Sequence, residues 1–175
     1  MGRVADRIAA AGLTLPQPSA ALGAYVPSVR SGSLVFTAGQ LPLVDGALIA
    51  NGRVGDEVAV DVARDCAQRC VLNALAAASV SCDLDEVVRV VKVTGYVASA
   101  PGFTAQPGVI DAASELLVTI FGDSGKHARE AVGVTALPLG APVEISLVLE
   151  VACFSFALRP PTMYHCASSG CGSAW

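Results

Sequence analysis

Charge is scarce in this sequence. Asp, Glu, Lys and Arg make up 15% of its 175 residues, apolar residues make up 53%, and mean hydropathy is +0.59. Eleven basic residues stand against fifteen acidic ones, a net charge of −4. Nucleic-acid binding rests on phosphate neutralisation, so this balance argues against a nucleic-acid partner. Histidine is almost absent, with two in the chain, and the six cysteines do not follow a zinc spacing. Cys66 and Cys70 lie four apart on one helical face with Val62 and Ala74 and read as small core residues, while Cys82 and Cys153 are isolated. Cys166 and Cys171 sit near His165 in the tail, without the four placed ligands a structural metal needs. Free thiols, no metal and a reducing compartment are therefore expected. The longest apolar stretch, Val143 to Leu158, is broken by Glu144 and Glu150, so no membrane span is expected. The segment MGRVADRIAA carries Arg3 and Asp6 and no long apolar run, unlike a secretory signal, which makes the expected location cytoplasmic.

What is abundant is apolar surface. A chain of 17.7 kDa is large enough to bury one core without staples, and residues 1–158 read as a single domain. The excess of apolar residues over that need points to an interface between subunits. The segment 159–175 has no periodicity and is rich in small and turn-forming residues, so it is expected to lie outside the core.

Residues 3–11 predict a short helix closed by Gly12, followed by a proline-punctuated extended lead-in. A strand is expected over 33–38, a VDG turn after it, and a short return strand within ALIANGRVG. A first long helix is expected from about Glu57 to Ser79, with Asp56 as N-cap and Val58, Val62, Cys66, Cys70, Ala74 and Ala78 as its apolar stripe. Asp83 and Glu86 suggest a capping box. The β-branched stretch VVRVVKVTGYVAS reads as a strand with Arg89 and Lys92 outward. A second long helix should run from Pro107 to Gly122, and KHAREAVGVTALPLGAPVEISLVLEV reads as a closing β-hairpin that buries most of its residues. The order β-β-α-β-α-β-β indicates an α+β domain with both helices on one face of a mixed sheet. The other face would then be bare, and a symmetric oligomer would cover it.

Four stretches resemble the Rid family, the reactive-intermediate deaminases also called YjgF proteins. They are SGSLVFTAGQLPL, VVRVVKVTGYVAS, FTAQPGVIDAASELLVTIFG and HAREAVGVTALPLGAPVEISLVLEV, together spanning roughly residues 24–152. The resemblance implies a chorismate-mutase-like fold, a homotrimer, and a ligand cleft at each subunit interface. It also implies hydrolysis of small carboxylate-bearing enamines and imines to 2-keto acids and ammonia, without a cofactor. By resemblance Arg129 would hold the substrate carboxylate and Glu144 would position or deprotonate the attacking water. Gly39 would let backbone approach the ligand, Tyr25 would line the cleft, and Asp111 stands where many deaminases carry asparagine.

The same residues have plainer readings. Arg129 also reads as a solvated strand-end charge, Glu144 as an outward strand charge, Gly39 as a turn or bulge glycine, and Tyr25 and Phe103 as packing residues. Lys126 and His127 either add positive charge beside a bound carboxylate or form a solvated loop. Glu130 and Ala131 replace the small polar residue and frequent cysteine that follow the arginine in deaminases, and the LPLGAP turn lacks their lysine or aspartate. These departures mark a divergent branch. Three functions stand: a deaminase, a non-catalytic trimer that binds keto acids, and, disfavoured by the acidic chain, a ribonuclease or translation inhibitor.

Overall fold

The computed structural model describes residues 2–18 and 23–152. The segment 159–175, Cys153, Cys166, Cys171 and His165 lie outside the described residues. Helix α1 (Arg3–Ala10) is followed by β1 (Ser28–Ser31), β2 (Leu34–Thr37), β3 (Leu43–Val44), β4 (Ala47–Leu48) and α2 (Val60–Ala78). Strand β5 (Val87–Ala98), α3 (Gln106–Phe121), β6 (Ala128–Val134) and β7 (Val143–Val151) complete the order. Five strands form one mixed sheet in the order β1-β2-β7-β5-β6, while β3 and β4 make a separate two-residue ribbon turned by Asp45 and Gly46, both at positive φ. This is the expected α+β architecture.

Strand β7 shows why one sheet face is dry. Val143, Ile145, Leu147, Leu149 and Val151 are buried, and Glu144, Ser146, Val148 and Glu150 alternate with them on the other face. Each aliphatic side chain so buried contributes about 1.5–3 kcal/mol. Helix α2 packs over β7 and α3 over β5 and β6, with the two helices side by side. Alanines at 63, 67, 74 and 78 let α2 lie close, and Gly95 does the same for α3, because a Cβ there would stand 2.5 Å from Ile110 Cδ1. Helix α3 begins with proline in its first turn and stops at Gly122, whose φ is +64°.

Five local expectations are corrected. The first long helix starts at Val60, capped by Ala59 rather than Asp56. Arg53 draws Asp56 and Glu57 into ion pairs of 2.8 and 3.2 Å, and the resulting turn delivers Val54 and Val58 to the core. Its apolar face is accordingly rotated: Val62 is 39% exposed, and Ala63 and Ala67 are buried instead.

The closing segment is not a hairpin. Strand β6 pairs parallel to β5, and β7 pairs antiparallel to the other edge of β5, so the two never meet. The crossover through α3 returns the chain parallel to β5, as βαβ units do. The following loop, with Leu139 and Gly140 at positive φ, carries the chain past the end of β5. As an edge strand β6 is largely exposed, contrary to the expected burial. Finally, the extended lead-in contains β1, the outermost strand.

The face away from the helices carries an apolar row. Val29 pairs with Phe36, and Phe36 with Val148, which places the three across β1, β2 and β7. Val29 and Phe36 are exposed.

Candidate functional site

The second residue of β6 is Arg129, in register with Val93. Val93 belongs to the helix-side core, so Arg129 also leaves the sheet on that side, at its edge against α3. Its Nη1 donates to Asp111 Oδ1 at 2.5 Å and to Ser114 Oγ at 3.3 Å. Both acceptors stand one helical turn apart on α3. Among the described residues, Nε and Nη2 have no acceptor. The Arg129 side chain is 26% exposed, and its guanidinium keeps one fork edge open, the geometry that pairs with both oxygens of a carboxylate.

Glu130 points the other way. It registers with Thr94 on the open face and pairs with Lys92 at 2.9 Å, so no bulge brings it to Arg129. Ala131 returns to the helix side and packs on the core. The neutralising partner of Arg129 is Asp111.

Glu144 lies on the open face of β7, opposite Tyr96 on β5. Among the described residues it has neither hydrogen-bond nor ion-pair partner. Burial pushes its carboxyl above the ordinary glutamate range. Gly39 lies directly beneath it: a Cβ on Gly39 would collide with Glu144 Oε1. That close approach is set by Gln40, which exchanges backbone hydrogen bonds with Ile145 at 2.8 and 3.0 Å. Tyr25 precedes β1 and is 54% exposed.

The structure thus joins Arg129 with Asp111, and Glu144 with Gly39. It does not join the two halves within one chain. Arg129 and Glu144 occupy opposite faces of the sheet with β5 between them, and Tyr25 stands at the other sheet edge from β6. Sequence reasoning missed Ser114 and Tyr96. The signal for Ser114 was its i+3 spacing from Asp111 on a helix, and Tyr96 needed the β5–β7 register.

Burial pushes the Cys66 thiol up to about 11 and the Cys70 thiol well above its ordinary value. Both remain protonated at neutral pH and act as core packing. Among the described residues no group of three His, Cys, Asp or Glu side chains could hold a metal, and no helix is long and apolar enough to cross a membrane.

The raised Glu144 carboxyl has a sign for stability. The folded chain keeps this proton at pH values where the unfolded chain has lost it, so ionisation on leaving the ordinary carboxylate range weakens the fold. Glu144→Gln is expected to be at least as stable as the parent at pH 7, with the advantage gone below about pH 4. Thermal midpoints at the two pH values check this. If the carboxylate handles a proton in catalysis, the same variant loses turnover by roughly 100-fold or more.

The chain matches the family described as "YjgF/chorismate mutase-like, putative endoribonuclease" over residues 5–151. Protein TCP17 of Trypanosoma cruzi is 39% identical over 152 residues, covering 86% of this chain and 95% of that protein. The crystal structure of Atu1372 from Agrobacterium tumefaciens is 40% identical with a TM-score of 0.79, over 86% of this chain and 93% of that one. A Shewanella oneidensis protein carrying the same endoribonuclease description is 32% identical with a TM-score of 0.81, over 85% of this chain and 99% of that one. The match runs from within α1 to the last residue of β7, and so takes in Arg129, Asp111, Glu144 and Gly39 together: this chain belongs to the YjgF/chorismate-mutase-like family.

Proposed function

We propose that this protein hydrolyses small 2-imino and enamino acids to 2-keto acids and ammonia, in clefts between the subunits of a homotrimer. The observation that carries this reading is Arg129, fixed through Nη1 by Asp111 and Ser114 with its Nε–Nη2 edge open. That edge docks the substrate carboxylate. Glu144, half-buried and without a cation, takes a proton from water as the water oxygen adds to the C=N carbon. Glu144 passes that proton to the nitrogen as the C=N bond becomes C–N, giving a carbinolamine. It then takes the carbinolamine hydroxyl proton and delivers it to the amino group as C=O forms and the C–N bond breaks, which releases ammonia and the keto acid and restores the carboxylate.

The separation of the halves supports the oligomer. Arg129 at the β6 edge reaches neither Glu144 nor Tyr25 of its own chain, whereas a neighbouring copy can supply both. Packing of copies would also cover Val29, Phe36 and Val148 on the open face.

Generating an imino acid in situ with an amino-acid oxidase tests the chemistry. Its disappearance should accelerate in the presence of the protein, and no acceleration would refute the reading. Light scattering should give about three chain masses, and a mass near 17.7 kDa would refute the shared cleft. One observation favours a second reading, a keto-acid binder without turnover: Asp111 already neutralises Arg129. Binding of pyruvate by a protein that accelerates nothing would select it.

A further inference from the structure

Behind the Arg129–Asp111 pair stand Ser114, the second acceptor of Arg129 Nη1, and His127, which has no part in the reaction above. Ser114 lies on α3, and His127 immediately precedes β6. His127 Nδ1 lies 2.5 Å from the Gly125 carbonyl oxygen, and Nε2 lies 3.0 Å from Ser114 Oγ. A carbonyl only accepts, so Nδ1 carries a hydrogen, and in the neutral imidazole Nε2 is the acceptor. The Ser114 hydroxyl therefore donates to Nε2 and turns its lone pairs to Arg129 Nη1. The links run in one direction, from Arg129 through Ser114 and His127 to the Gly125 carbonyl.

This direction matters because Nη1 has two hydrogens. Asp111 takes one and Ser114 the other. With a single acceptor the guanidinium can pivot about that bond; with two, its plane is fixed. Ser114, His127 and Arg129 also border one cavity of about 270 Å³ with Val118 and Lys126. A carboxylate bound at Arg129 would therefore meet a fork whose angle is set from behind.

We propose that Ser114 and His127 are positioning residues for Arg129. His127, which makes no hydrogen bond to the guanidinium, orients the Ser114 hydroxyl so that Nη1 is held twice and the Nε–Nη2 edge is presented to a small carboxylate. The carboxylate part of this inference rests on the proposed function; the positioning part does not.

The test reads the two parts separately. In ¹⁵N-labelled protein without ligand, held Nη1 hydrogens give Arg129 resolved, slowly exchanging side-chain signals. Ser114→Ala should collapse them, and so should His127→Phe, although position 127 makes no hydrogen bond to Arg129. Ser114→Thr and His127→Gln, which keep a hydroxyl and an acceptor, should retain them and also control for folding. With oxidase-generated imino acid, Ser114→Ala and His127→Phe should raise KM about tenfold with kcat nearly unchanged. The two conservative variants should recover most of that loss, and Ser114→Ala should add nothing in an Arg129→Ala background. Unchanged Arg129 signals in His127→Phe would overturn the inference. Collapsed signals in a protein that hydrolyses no imino acid would uphold the positioning and refute the proposed function.

Discussion

Arg129→Ala is expected to lower kcat/KM for imino-acid hydrolysis by about 100-fold or more, through loss of a charge-assisted carboxylate contact. Two effects add. The fork that docks the substrate disappears, and Asp111 is left facing the same space with its charge uncompensated. A substrate carboxylate then meets repulsion where it met attraction. The fold should barely register the change. The Arg129–Asp111 pair is at the sheet edge with Asp111 about half exposed, and such pairs contribute about 0–1 kcal/mol. Arg129→Lys should not restore activity, because an ammonium is a point charge that Asp111 can capture whole. Initial rates with oxidase-generated substrate, together with thermal midpoints, decide the matter. A variant that retains half the parental kcat/KM would show that the carboxylate docks elsewhere.

Gly125→Ala is expected to be the costliest single methyl in the described fold, at about 3 kcal/mol. Gly125 ends the 3-10 turn after α3 and is buried. A Cβ there would collide with the Leu117 carbonyl oxygen and would stand 2.7 Å from Leu117 C and 2.8 Å from Val118 Cα. Those atoms are backbone of the last helical turn, hydrogen-bonded on both sides, and cannot retreat as a rotamer can. For a chain of this size the thermal midpoint should fall by roughly 6–12 °C. A midpoint within about 1 °C of the parent would show slack in the turn that the packing denies. At Gly39 the same added methyl would meet only the movable end of the Glu144 side chain, a displacement of a carboxylate rather than of a helix.

Periodicity carried the helices and the two-faced β7, because burial on one side imposes a repeat that composition records. The end of α3 was legible for a similar reason, since Gly122 takes a conformation that other residues resist. What was not legible depended on partners distant in the chain. The closing strands read as a hairpin because two apolar stretches flank a Pro/Gly turn, yet β6 is claimed by β5 through the α3 crossover. The start of α2 was misread because Arg53 competes for the acidic residues that would have capped it. Arg129 and Glu144 both stood out in the sequence as charges on otherwise apolar stretches. Their placement on opposite faces follows from register, which neighbouring residues do not encode.

The Arg129–Asp111 pair also bears on how a substrate would find the proposed cleft. Lys126 beside it is matched by Asp123 at 2.8 Å, Lys92 by Glu130 at 2.9 Å, and Arg64 by Glu115 at 2.9 Å. Each of these three cations has an anion of its own, so little of their field extends beyond a Debye length. A small anion approaching a chain of net charge −4 is then neither drawn in nor funnelled. Its encounter rate is that of unguided diffusion to a small target, much the same in dilute buffer as in physiological salt. Attraction begins only on arrival, when the two oxygens of the carboxylate reach the open edge of one arginine.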